Sequence, residues 1–248
     1  MTKTKKLTVS EQQPKRPAGL MGHIEENKET ITKKLSGSGT TKRLNNFNWL
    51  RHEISYNEPK TLFVISTKKQ KPYFDYSCTQ GLGNAYDYIL EQTKQKTVLG
   101  LSEICNIHYL ICNERNIKIN DTYIRPGVIK KTNIPMEIES ALENIIYEYR
   151  TADKPSIIRA FDVHYKMIAL QPFDDYNKRT ARMVMNWILL ENGYRPIAFT
   201  RKSDKEQYQS TLTDMKNGEA KKYYRYMMGA MYSSQNKIIN QLQTSKIK

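Results

Sequence analysis

The sequence predicts a mostly α-helical domain with one small β-hairpin. Three observations carry that reading. Apolar residues recur at spacings of three and four over most of the chain, the mark of helices with one buried face. The pattern breaks over residues 117–134, where β-branched residues flank Arg125-Pro126-Gly127, and a hairpin is expected there. A segment apolar nearly all round, Arg182 to Gly193, follows a loop crowded with acids and cations, so a buried helix is expected to begin at a charged site.

The elements follow in order. Residues 1–19 are basic and polar, with Pro14 and Pro17, and read as a disordered tail. Leu20, Ile24, Ile31 and Leu35 mark a first amphipathic helix, and Ser36 to Thr41 a flexible connection. Leu44, Phe47, Leu50 and Ile54 mark a second helix over 42–57. Thr61 to Ser66 reads as a strand or the end of a buried segment, 67–80 as a loop, and 82–95 as a helix. Ser102 is the expected N-cap of a helix through Cys112. Pro135 opens a helix carrying Ile138, Leu142, Ile145, Ile146 and Tyr149, and Asp153 and Pro155 open the next, through Leu170. Gly193 is the expected end of the central helix. Lys205 to Leu212 and Glu219 to Leu242 are the last two helices. The resulting division is a 1–19 tail, a 20–95 helical extension, a 96–215 core and a 216–248 C-terminal helix.

Composition narrows the function. The chain has 248 residues and a formal net charge of +15, spread along its length, which favours anionic partners over apolar ones. No zinc-finger or RNP pattern accompanies the charge, so a dedicated nucleic-acid role ranks last. No apolar run reaches membrane-spanning length and no secretory signal is visible. Three cysteines are too few for a disulfide framework and suit a cytoplasmic setting, or a secreted effector that lacks a Sec signal. Cys105, His108 and Cys112 lie at helical spacing and read as packed structural residues rather than as a zinc site. Nothing in the sequence speaks to oligomeric state.

Chemistry concentrates in Leu170 to Arg182. A helix N-terminus offers unpaired N–H groups and the positive end of the dipole. Lys178, Arg179 and Arg182 make that end suited to a polyphosphate, and Asp175 supplies a hard oxygen for Mg²⁺.

Gln171-Pro172-Phe173-Asp174-Asp175-Tyr176-Asn177-Lys178-Arg179-Thr180-Ala181-Arg182 resembles the signature H-P-F-x-[D/E]-G-N-G-R-x-x-R of the Fic/Doc (Fido) family. The flanking helices and the Tyr123 to Val128 stretch are also similar, and the likeness covers roughly 100–212, Tyr208 included. It implies the Fic helical fold, with a small β-hairpin flap over the active site. It also implies use of ATP and Mg²⁺ to transfer AMP to a Ser, Thr or Tyr hydroxyl of a target protein. In that register Phe173 anchors the loop, Asp175 holds the metal, Asn177 meets the α-phosphate, and Arg179 and Arg182 hold the outer phosphates. The target docks on the flap at Tyr123, Ile124, Arg125, Gly127 and Val128.

Three positions depart. The family's general base, a His, is Gln171, whose amide has no usable proton-transfer pKa. Tyr176 and Lys178 replace the two glycines of the phosphate nest. A Tyr at positive φ costs about 1–2 kcal/mol, so the loop is expected to take another path. Lys178 gives Asn177-Lys178-Arg179, as in the Doc-like toxins that transfer the γ-phosphate. Three activities therefore stay open: an adenylyltransferase impaired at its base, a pseudoenzyme that binds nucleotide or protein, and a Doc-like phosphotransferase. Met21 to Glu26 partly resembles the family's inhibitory helix, whose Glu, here Glu25, would pair with Arg182.

Overall fold

A computed structural model describes residues 19–37, 48–57, 76–112, 117–119, 122–130, 135–200 and 203–244. The expected 1–19 tail (save Gly19), most of the 36–41 connection, the 42–47 start of the second helix, the Thr61 to Ser66 run and most of the 67–80 loop lie outside them. So do Arg201 and Lys202, before the next-to-last helix.

The helices are α1 (Leu20–Ser36), α2 (Tyr76–Lys94), α3 (Leu101–Ile111), α4 (Pro135–Thr151), α5 (Ser156–Leu170), α6 (Asn177–Glu191), α7 (Asp204–Lys216) and α8 (Ala220–Thr244). A short helical stretch over 48–57 ends in a π-turn, Glu53–Asn57. Among the described residues no helix is long and apolar enough to cross a membrane.

α6 is the axis of the molecule. Residues 180–189 are all buried, as an apolar circumference requires. α5 packs along it most extensively, and α2 and α3 also lie against it. Gly193, at φ +77, ends it: the Gly193 and Tyr194 amides donate to the Leu190 and Leu189 carbonyls. α1 lies on α8, and α7 joins α8 from the other end of the chain's C-terminal pair.

Several boundaries move. α2 begins at Tyr76, inside the stretch read as loop, and its apolar face, Leu82, Ala85, Tyr86 and Ile89, is buried. Ser102 is not a cap: α3 starts at Leu101 behind Gly100, and Ser102 Oγ donates to Glu103 instead. The hairpin is β1 (Ile117–Ile119) with β2 (Thr122–Ile124), Ile117 opposite Ile124. The strands pair antiparallel ahead of Arg125-Pro126-Gly127, so that triplet does not join them as expected. Arg125-Pro126-Gly127 forms a turn after β2. The Val128 amide donates to the Arg125 carbonyl, and Pro126 before Gly127 at φ +70 is the type II arrangement.

Candidate active site

The loop between α5 and α6 is bracketed by two left-handed residues, Gln171 (φ +48) and Tyr176 (φ +56). Gln171 caps α5 and is exposed. Tyr176 caps α6, and the expectation that a side chain here would reroute the loop is overturned. The ring is buried at 6% exposure and the Arg179 guanidinium lies 4.4 Å from its centre. Burying an aromatic ring and its cation contact outweighs a backbone cost of about 1–2 kcal/mol. Lys178, at the second glycine position, is already in the first turn of α6 and is exposed.

Within the loop, Phe173 is buried and stacks face to face on His108, ring centres 3.9 Å apart. The Asn177 amide clamps it: Oδ1 accepts from the Phe173 N–H and Nδ2 donates to its carbonyl, both at 2.8 Å. The side chain expected at the α-phosphate thus shapes the loop. Asp175 is exposed, and its Oδ1 accepts the Tyr176 N–H at 2.6 Å. Asp174 turns to Arg125, at 3.1 Å. Burial would raise the Asp174 carboxyl, and the Arg125 bonds outweigh it, holding the group below its usual range.

The turn after β2 is fastened to this loop at three places. Arg125 bonds Asp174 with both backbone and side chain, the Gly127 N–H donates to His108 Nδ1 at 2.9 Å, and the Lys130 N–H donates to the Pro172 carbonyl at 2.9 Å. His108 Nε2 lies 3.2 Å from the Asp175 carbonyl. Gly127 also sits where a Cβ would meet the Cys105 carbonyl at 3.0 Å. Val128 is exposed. Tyr123 and Ile124 lie in β2. Arg125 was expected on the docking flap, but its pairing with Asp174 was not foreseen, and His108 was read from sequence as a packed structural residue. His108 is 67 residues from its loop partner and carries no local signal.

Arg182 is almost fully buried, donates to the Lys178 carbonyl at 3.1 Å, and lies 5.8 Å from the Tyr208 ring. Beside it His164 is fully buried, its ring nitrogens 2.8 Å from the Tyr223 and Tyr208 hydroxyls. Burial, with the Arg182 charge, pushes His164 down to about 3; burial pushes His108 down to about 4.

Glu25 does not reach Arg182. It accepts from the Tyr194 hydroxyl and faces Lys28, past the far end of α6, while Arg182 lies roughly 13 Å back along that helix at 1.5 Å per residue. Helix α1 is held against α8, which fixes Glu25 there.

A cavity of 450 Å³ adjoins the loop. Gln171 and Lys178 line it together with Leu212, Thr213 and Lys216 of α7 and Tyr165 of α5. The contribution of α7 was not foreseen.

Residues 98–189 match the Fic/DOC family model. A protein adenylyltransferase Fic of Nematostella vectensis is 24% identical over 177 residues, 67% of this chain and 41% of that protein. The protein adenylyltransferase fic-1 of Caenorhabditis elegans is 25% identical over 171 residues, 60% of this chain and 32% of that protein. The chain therefore spans well under half the length of these curated relatives. Among solved structures, C. elegans Fic-1 superposes with a TM-score of 0.65 at 18% identity, covering 89% of this chain and 71% of that one. A Fic domain-containing signaling protein of Bacteroides thetaiotaomicron gives 0.70 at 17%, covering 90% and 97%. At such identities the likeness is one of fold. With the motif in register between α5 and α6, the chain carries a Fic/DOC-family domain at residues 98–189.

Proposed function

We propose that this domain binds ATP with Mg²⁺ at the 171–182 loop and transfers AMP to a protein hydroxyl, at a rate limited by the missing base. One observation carries the reading: Tyr176 adopts a left-handed conformation, one that glycine takes readily, and the backbone there brings Asp175 to the N-terminus of α6. The relatives named adenylyltransferases support the same activity.

The chemistry follows from the residues. The phosphates meet Lys178 and Arg179 at the positive end of α6, and the nucleoside enters the 450 Å³ cavity between α5 and α7. Asp175 fits a Mg²⁺ site, being an exposed carboxylate with one oxygen held by the Tyr176 N–H and the other turned to solvent. Bound there, the ion would neutralise charge on the phosphates. The target's hydroxyl oxygen bonds the α-phosphorus, and pyrophosphate departs with the bridging oxygen. Gln171 orients the hydroxyl by accepting its hydrogen bond, and the proton passes to water. The target strand adds to the β1–β2 edge, whose following turn is fastened to the loop.

A second reading, nucleotide binding without turnover, is favoured by His108 and His164, which are buried and bonded at both ring nitrogens and supply no replacement base. Exposed Lys178 leaves γ-phosphoryl transfer as the third. Incubation with target lysate and ATP labelled at the α or γ position separates them, with Arg179→Ala as the control for lysate kinases. Label from the α position supports the proposal. Label from the γ position alone assigns phosphotransfer, and calorimetric ATP binding without label assigns the pseudoenzyme. Gln171→His is expected to raise α-label transfer by about 10²–10⁴-fold.

A further inference from the structure

A second cavity, of 530 Å³, lies at the end of α6 remote from the loop, where α2, α4 and α6 terminate. Its volume is in the range of small-molecule sites. Among the described residues three cations line it, Lys96, Arg150 and Arg159. None of them pairs with a carboxylate among the described residues. Arg150 donates to the Leu99 carbonyl, and Arg159 NH1 donates to the Tyr149 carbonyl at 2.7 Å. Each guanidinium has five N–H groups, so most donors remain, and Arg159 Nε is buried with no hydrogen-bond partner among the described residues.

Among the described residues the one acid in the wall is Glu191. Its two oxygens are taken by the Tyr149 hydroxyl and, at 3.2 Å, by Trp187 Nε1. Burial pushes its carboxyl up to about 7, so at neutral pH it offsets the cations only in part. Helix C-termini draw cations, which accounts for the Arg159 bond to the Tyr149 carbonyl in the last turn of α4. It does not account for three cations around one spent carboxylate beside an open volume walled by Val98, Leu99 and Leu190.

We propose that this cavity is a second ligand site, for a small organic anion. Its carboxylate or phosphate lies among Lys96, a point charge, and Arg150 and Arg159, whose forks suit either group, and its apolar body rests on Val98, Leu99 and Leu190. The site is independent of the nucleotide loop and does not rest on the activity proposed there.

Trp187 is the local reporter, one of two tryptophans in the chain, its indole N–H bonded to Glu191 in the cavity wall. The ¹⁵N-labelled full chain is titrated with phenyl phosphate, phenylacetate and neutral phenylacetamide. A saturable shift of the Trp187 indole resonance is expected with at least one anion, and the tighter of the two identifies the acid group. Phenylacetamide is expected to bind at least tenfold more weakly. Lys96→Glu, on an exposed side chain, is expected to weaken anion binding tenfold or more, and Arg179→Ala in the first turn of α6 to leave it unchanged. No saturable Trp187 shift with either anion overturns the proposal. So does equal binding of the amide, an unaffected Lys96→Glu protein, or loss of the shift in Arg179→Ala.

Discussion

His108 and His164 are both fully buried near the motif, and they carry their protons on opposite nitrogens. At His108 the Gly127 N–H can only donate, so Nδ1 accepts and Nε2 holds the proton for the Asp175 carbonyl. At His164 the Tyr223 hydroxyl spends its hydrogen on the Phe161 carbonyl, so its oxygen accepts from Nδ1–H, and Nε2 accepts from Tyr208. The first ring joins the 125–130 segment to the loop. The second joins α5 to α7 and α8 beside Arg182. The contrast shows two ways of using an imidazole as a bonded spacer, and neither leaves a lone pair for a substrate hydroxyl.

The largest effect is expected from His164→Ala. It leaves the Tyr208 hydroxyl without its acceptor and the Tyr223 oxygen without its donor, and opens a cavity among α5, α7 and α8. Unfolding free energy in urea should fall by about 3–4 kcal/mol. His108→Phe keeps a flat ring against Phe173 and removes the bonds to Gly127 and Asp175. The expected loss is about 1–2 kcal/mol, with faster amide exchange at Gly127. If the His108 change proves the costlier, the loop rather than the helix core depends most on a histidine, and the contrast is inverted.

The motif was legible because its residues are contiguous and its two helices carry strong periodicity. Gly193 marked the end of α6 for the same local reason. What escaped was set by long-range contact. Positive φ at Tyr176 is unfavourable taken alone, and only the burial of its ring and the nearness of Arg179 reverse the balance. His108 looked like any buried helical residue, because its partners Gly127, Phe173 and Asp175 are remote in sequence. Ile24-Glu25 had the local spelling of an inhibitory segment, but packing of α1 on α8 sends Glu25 to Tyr194. Ser102 had a cap's chemistry two residues too late, the cap position being Gly100.

Acid titration sharpens the histidine comparison. Both folded-state pKa values are depressed, so below about 6.5 the unfolded chain takes protons that the folded one refuses, and stability falls with falling pH. The loss runs from 6.5 to about 4 for His108 and to about 3 for His164, at up to about 1.4 kcal/mol per pH unit each. Glu191, raised to about 7, runs the other way: its contribution is full below about 4.5 and is lost as pH rises through 7. Differences between parent and variant remove that background. Between pH 3 and 4 only the His164 variant should differ in slope from the parent. Equal slopes there would mean the two rings are buried alike in energy.

The smallest effect tests whether His108 or the ion pair holds the 125–130 segment. Asp174→Asn keeps the shape and removes the charge facing Arg125, whose side chain is 40% exposed. A pair so open to solvent is worth about 0.5 kcal/mol, and less at high salt. The Arg125 amide should exchange faster, while Gly127, held by His108, should stay near its parent rate. A loss matching that of His108→Phe, abolished by salt, would assign the fastening to the charges. Arg125 would then be what keeps the turn after β2 on the loop, and His108 would be left with only the stacking on Phe173.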